Sequence, residues 1–154
     1  MRSRIHAIAL TSEAVEFGAE LPQLFRDIAR LGGGGELTGE CAPAVDVYET
    51  DHAIEITMDL PGVAAETVRI VAKGSTVLIA GEKRPRRSRG DSSFHLVERG
   101  YGRFARAVRL TTACDTARAQ AALVDGELRI SLPKTDERRS RAIPISLDAK
   151  RTTA

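Results

Sequence analysis

Apolar and polar residues alternate through "HAIEITMDL": Ile54, Ile56, Met58 and Leu60 fall on one side of an extended chain, Glu55, Thr57 and Asp59 on the other. A period of two marks a half-buried β-strand, and Pro61–Gly62 ends it. The alternation returns in Leu128, Ile130 and Leu132 against Glu127, Arg129 and Ser131. "AQAALV" precedes that strand, and Asp125–Gly126 between them is a two-residue turn signal, so "AQAALVDGELRISL" predicts a hairpin. "AVDVYE", "TVRIVAKG", "TVLIAGEK" and "GRFARAVRL" supply further short strands, with a tight turn at Gly74–Ser75. Strands joined by turns over residues 44–133, with no helix between them, predict an antiparallel β-sandwich.

The period changes upstream. In "ELPQLFRDIARLGGGG", Leu21, Leu24, Phe25, Ile28 and Leu31 recur at helical spacing, Pro22 suits a first turn and Gly32 a stop. The spacing predicts a short helix. Its apolar face serves either to pack on the domain or to meet other subunits or unfolded proteins, and both readings stay open. The glycine run at 32–35 lacks the Gly-Lys-Ser/Thr ending of a phosphate loop and reads as a hinge. The chain thus divides into an N-terminal arm (1–41), a β-sandwich (42–134) and a polar C-terminal tail (135–154). Within that tail, Pro144 holds an extended backbone between Ile143 and Ile145, which sends both isoleucines to one side.

Composition narrows the function. The 154 residues are 42% hydrophobic but only 4% aromatic, so the core is aliphatic. The balance of 23 basic and 21 acidic residues, net +2, does not suit a dedicated nucleic-acid binder. "KRPRRSR" clusters Arg84, Arg86, Arg87 and Arg89 without interleaved aromatics to stack bases, and reads as a solvated loop. Cys41 and Cys114 are isolated, which fits a reducing compartment. His6, His52 and His95 have no metal-ligand spacing. No apolar run approaches a membrane span, and no secretory signal is expected at the N-terminus. These features predict a cytoplasmic protein, not an enzyme, with no metal or cofactor. Arg106 stands out because it shares strand parity with Phe104, Val108 and Leu110, where a charge needs a partner or a route to water.

Three stretches then resemble one family. "DLPGV" at Asp59–Val63 is similar to a strand-ending motif of the small heat-shock proteins. "ALVDGELRISLPK" resembles their signature hairpin, A-x-x-x-N-G-V-L, with Ala121, Asp125, Gly126 and Leu128 at the matching positions. "AIPIS" resembles their C-terminal I-x-I motif, and "GEK" followed by "FHLVERGYGRFARAVRL" resembles the bacterial and plant branch. The likeness covers roughly residues 42–146. The aromatic-rich N-terminal motif is missing, "RLTTAC" replaces the frequent Leu-Pro, and Asp125 and Glu127 replace Asn and Val.

The resemblance implies an α-crystallin domain, an immunoglobulin-like antiparallel β-sandwich. It implies an ATP-independent chaperone that holds unfolding client proteins and assembles from homodimers into larger oligomers. It implies that the "FHLVER" strand, with Phe94, His95, Leu96, Val97 and Glu98, crosses to a neighbouring subunit. It puts Arg106 at that interface, with Glu98 of a neighbour as candidate partner and Glu55 and Asp59 as weaker ones. It implies that Ile143, Pro144 and Ile145 plug a groove between "TVRIVA" and "AQAALV", with Val68, Ile70, Ala121 and Leu123 as candidate walls. Two other classes compete: a CS-domain-like co-chaperone, which the Ile-Pro-Ile tail argues against, and a stand-alone β-sandwich binding module.

Overall fold

The computed structural model describes residues 17–31, 41–85 and 93–135. They form one α-helix, α1 (Leu21–Leu31), two short 3-10 turns (Ala65–Thr67 and Thr116–Arg118) and seven strands: β1 (Val45–Glu49), β2 (Ala53–Asp59), β3 (Arg69–Lys73), β4 (Thr76–Lys83), β5 (Gly102–Arg109), β6 (Gln120–Val124) and β7 (Glu127–Pro133). All pairings are antiparallel, in a four-stranded sheet of order β1-β2-β7-β6 and a three-stranded sheet of order β3-β4-β5. The sheets face each other as a β-sandwich.

The period of two explains the interior. Ile54, Ile56 and Met58 of β2 and Leu128, Ile130 and Leu132 of β7 meet Val77 and Ile79 of β4 and Phe104 and Val108 of β5 in one buried cluster. Burying each such side chain is worth about 1.5–3 kcal/mol gross. Gly81 pairs with Phe104 across β4 and β5. A Cβ on Gly81 would lie 2.4 Å from Phe104 Cζ, so the ring occupies the space a side chain would need.

The β6–β7 turn has φ of 50° at Asp125 and 81° at Gly126. Positive φ at both central residues is the signature of the two-residue hairpin turn that the Asp-Gly pair predicts. The turn is also a contact point. The Leu60 N–H donates to the Gly126 carbonyl oxygen at 2.6 Å, and a Cβ on Gly126 would stand 2.9 Å from Pro61 Cα. The strand-ending "DLPG" and the hairpin "DGEL" are therefore one structural unit, although they lie far apart in sequence.

The arm adds a second core. Phe17 and the α1 residues Leu21, Phe25 and Ile28 are buried against Leu78 and Ala80 of β4 and Ala105 of β5, with Leu24, Val71 and Ala107 packed at the margin. This cluster lies on the outer face of the three-stranded sheet. Strand β4 is consequently covered on both sides, and every residue from Thr76 to Glu82 is buried. The helix starts from a turn in which Glu20 N–H donates to Phe17 O and Leu24 N–H donates to Glu20 O.

Candidate functional site

Among the described residues no three His, Cys, Asp or Glu side chains are placed to hold a metal ion. The described helix is not long and apolar enough to cross a membrane. Among the described residues the distinctive features are surfaces: the edge strands of the two sheets and one face capped by α1.

Strand β1 ends the four-stranded sheet and, among the described residues, pairs only with β2. Val47 and Tyr48 on it are exposed. The candidate interface segment around residues 94–98 is not a strand in the single chain. Phe94, Leu96 and Val97 are 64%, 73% and 57% exposed, and His95 and Glu98 are exposed beside them. The β-like pattern read from "FHLVER" thus has no ladder here. A strand exists only where a second strand takes its N–H and C=O groups, and among the described residues nothing does.

Arg106 sits half-buried on β5 opposite Ile79, on the side that faces the other sheet. Its Nη1 donates to the Pro43 carbonyl oxygen at 2.8 Å, which ties the chain entering β1 to β5. Among the described residues no carboxylate pairs with it. Glu55 and Asp59 are excluded as partners within the chain by strand alternation. They project from the opposite side of β2 to the buried Ile54, Ile56 and Met58, and Glu55 accepts a 2.7 Å hydrogen bond from Ser131 Oγ there.

The candidate groove is bounded by two edge strands, β3 in one sheet and β6 in the other. Register resolves which side chains face it. Ile70 pairs with the interior-facing Ile79, Ala121 with Ile130, and Leu123 with Leu128. Val68 and Leu123 pack partly on the main core, while Ile70 and Ala121 are exposed. All four candidate walls therefore point into the gap between the sheets at its open side. The proposed plug, Ile143, Pro144 and Ile145, lies outside the described residues. Of the signature hairpin, Leu128 is a core residue, while Asp125 and Gly126 make the turn against Pro61.

Of the candidate client-binding arm, Leu21, Phe25 and Ile28 are buried on the sheet and Leu24 is half-buried, so within one chain this face is already covered. Leu31 closes the helix; its side chain is outside the described residues. Two contacts fasten the rim. Lys73 Nζ meets Glu20 Oε1 at 2.9 Å, and the Arg103 guanidinium lies 5.4 Å from the Phe25 ring centroid. The hydrogen bond from Lys73 holds the Glu20 carboxyl below its ordinary value of 4.5, helped by a backbone hydrogen bond. Neither fastener was read from the sequence, but the receiving face left a signal there. "TVLIAG" is an unbroken apolar run, which is what a strand covered on both faces needs.

A polar corner closes the other end. Lys134 Nζ meets Glu49 Oε1 at 2.6 Å, and Thr112 Oγ1 donates to the same oxygen at 3.0 Å. The Lys134 and then the Thr112 hydrogen bond hold the Glu49 carboxyl below its ordinary range. Cys114 donates from Sγ to Thr112 O at 3.4 Å, and burial followed by the Glu49 charge pushes its thiol up. A raised thiol holds its proton and is a poor nucleophile.

The described residues thus present an edge strand, β1, paired on one side only, and an exposed apolar segment at Phe94, Leu96 and Val97. The Hsp20/alpha crystallin family matches residues 46–146, and the chain belongs to it. It is 33% identical over 127 residues to the 16.9 kDa class I heat shock protein 1 of Triticum aestivum, a match spanning 79% of this chain and 84% of that one. It is 29% identical over 105 residues to small heat shock protein C4 of Rickettsia felis, spanning 68% of this chain and 64% of that protein's length. Among solved structures, heat shock protein 16.0 of Schizosaccharomyces pombe superposes with a TM-score of 0.60 at 27% identity, covering 71% of this chain and all 100% of that one. A small heat-shock protein of Xylella fastidiosa, described as having a distinct high order structure, gives 0.59 at 27% identity and covers 70% and 98%. Membership in this family supports a chaperone role.

Proposed function

We propose that the chain is an ATP-independent holdase that binds unfolding client proteins, keeps them from aggregating, and works as a homodimer assembling into larger oligomers in the cytoplasm. The observation that carries this reading is the double incompleteness of the chain: a bare β1 edge, and a bare apolar segment at Phe94, Leu96 and Val97. An open edge is a template for another strand, and the segment is a strand without a template. A two-fold dimer satisfies both at once, each chain's segment adding to the other's β1. Arg106 then lies near the contact, where Glu98 of the second chain is the carboxylate within the exchanged segment.

Larger assembly follows from the tail. Ile143 and Ile145 enter the groove formed by Val68, Ile70, Ala121 and Leu123 of a neighbouring subunit, with Pro144 facing out. Two buried isoleucines are worth roughly 3–6 kcal/mol gross, and ordering the tail offsets much of it. Single plugs exchange, and only many together hold an assembly. Clients that expose apolar surface while unfolding compete for the same kind of contact.

The test is aggregation of a heated model protein, followed by light scattering without nucleotide. Suppression is expected, and strict dependence on ATP would overturn the reading. For assembly, Ile143→Ala combined with Ile145→Ala is expected to shift the particle toward dimers. A full-sized, equally slow-exchanging oligomer would remove the tail from the scheme.

A further inference from the structure

Strand β7 does not release the chain at Pro133. The Lys134 N–H donates to the His52 carbonyl oxygen at 2.8 Å, and the Asp115 N–H donates to the Pro133 carbonyl oxygen at 2.8 Å. The Thr135 N–H and its hydroxyl both donate to Ala113 O, at 3.0 and 3.1 Å. Cys114 and Lys134 pair as an antiparallel bridge between these segments. The root of the C-terminal tail is therefore a short ladder that prolongs β7 and is gripped from both sides. That ladder sets the line along which the tail departs.

The Lys134 side chain adds a tie from farther away. Alternation carried past Pro133 puts Lys134 on the side of the buried Leu128, Ile130 and Leu132. Glu49 pairs with Ile54, and Ile54 with Leu132, so these three form one row across β1, β2 and β7. Neighbouring strands lie about 4.8 Å apart, which leaves roughly 10 Å between β1 and β7. The Lys134 stem crosses that gap past β2, and its ammonium meets Glu49 Oε1 at 2.6 Å. A lysine ordinarily turns its ammonium to water, yet only 21% of this side chain is exposed. Thr112 Oγ1 donates to the same oxygen at 3.0 Å. One carboxylate thus gathers the edge strand, the segment after β5 and the tail root. The Lys134 hydrogen bond holds the Glu49 carboxyl below its ordinary range, so the pair is charged at neutrality.

We propose that Glu49 and Lys134 are positioning residues, a clasp through which the edge strand β1 fixes the direction in which the tail leaves the domain. The backbone ladder alone lets the root twist about its own axis; the clasp ties it to a second strand and removes that freedom. The placement of β1 and the aim of the tail then change together. The purpose of the clasp in assembly rests on the dimer and tail-plug reading, but its grip on the root does not.

The experiment uses the full chain with Glu49→Gln, with Lys134→Met, which keeps most of the stem and drops the charge, and with both. Hydrogen exchange reads the Thr135 amide, which reports the root, against the amides of the β2–β7 ladder. Either single change is expected to raise Thr135 opening roughly two- to five-fold. The double variant is expected to open no more than the singles, because both remove one contact. Salt at about 0.5 M is expected to raise Thr135 opening in the wild type and to leave Lys134→Met unmoved. Mixing of labelled oligomers is expected to exchange subunits faster in the variants by a similar factor. The proposal is overturned if the singles leave Thr135 as protected as in the wild type, or if their effects add in the double variant. It also fails if both singles strip protection from the β2–β7 ladder, which would make the pair a contact of the fold itself. Faster root opening with unchanged subunit exchange would sink the tail plug and leave the clasp standing.

Discussion

The two outer faces of the sandwich solve the same problem in opposite ways. On the four-stranded sheet, Glu55, Thr57, Arg129 and Ser131 alternate with the core residues of β2 and β7. They bond among themselves and with their neighbours: Ser131 to Glu55, and Arg129 to Glu127. That face is finished by water. On the three-stranded sheet, Leu78, Ala80 and Ala105 occupy the equivalent outward positions and are buried under α1. That face is finished by another piece of the chain. A polar face is permanent, whereas a capped apolar face stays covered only as long as the cap does. The asymmetry therefore gives the domain one side faced with polar groups and one side covered by α1.

The largest effect expected from this difference comes from placing one charge on each face. Leu78→Asp puts a carboxylate beneath α1 at a fully buried position. The expected cost is about 3–5 kcal/mol, from lost burial and an unpaired buried charge. Thr57→Asp makes the comparable change on the half-buried polar face and is expected to cost about 0.5 kcal/mol. Urea denaturation of both variants measures the gap. Equal losses would mean that the cap does not dry its face in solution.

Much of this architecture was legible before any coordinates. The seven strands fall within the stretches whose alternation or β-branched content marks them, and α1 falls on its helical period. The Asp125–Gly126 turn followed from residue type alone, because few pairs tolerate positive φ twice. The candidate groove is legible in the sequence only as a pair of strands. Which of their side chains face it depends on register, and the pairing of Ile70 with Ile79 and of Leu123 with Leu128 is a non-local fact. The "FHLVER" pattern, read as a strand, has no partner among the described residues and so forms no ladder there. The destination of α1 was carried by the run in β4, which lacks the alternation of β2. That signal says a second cover exists but not which segment supplies it. Glu55 and Asp59 are the weaker candidates for Arg106; alternation along β2 puts both on the opposite side to the core within one chain.

A smaller effect separates the interior from the cap. Gly81→Ala drives a methyl group into the Phe104 ring, 2.4 Å from Cζ, inside the sandwich rather than beneath α1. Overpacking of this kind costs roughly 1–3 kcal/mol. For a domain of this size each kcal/mol lowers Tm by about 4–8 °C. Its cost is expected to appear in the melting of the whole sandwich, with α1 lost only when the sheet is lost. Phe25→Ala is expected to do the reverse, freeing α1 while the sandwich melts nearly unchanged. Identical melting profiles for the two variants would merge the cores that the structure keeps apart.

The smallest effect expected is a pH dependence confined to the cap. Glu20 is held below its ordinary value of 4.5, first by the Lys73 hydrogen bond. A carboxyl depressed in the folded state contributes stability above its unfolded value and loses it as pH falls through the folded value. Nothing is therefore expected from this group between neutrality and about pH 4.5, and a loosening of α1 below it. Glu49 is depressed by Lys134 and Thr112, so it titrates with the same sign. It sits, however, at the end of a strand held by a five-pair backbone ladder to β2. The same proton taken up there breaks one contact among many, while at Glu20 it breaks a rim fastener of a segment with no ladder. Hydrogen-exchange protection, corrected for the intrinsic pH dependence of exchange, is expected to fall in α1 before it falls in β1. Glu20→Gln is expected to abolish the acid-dependent part in α1 and leave β1 as it was. Acid loosening that begins in β1 while α1 stays protected would show that the cap is held by its apolar face alone.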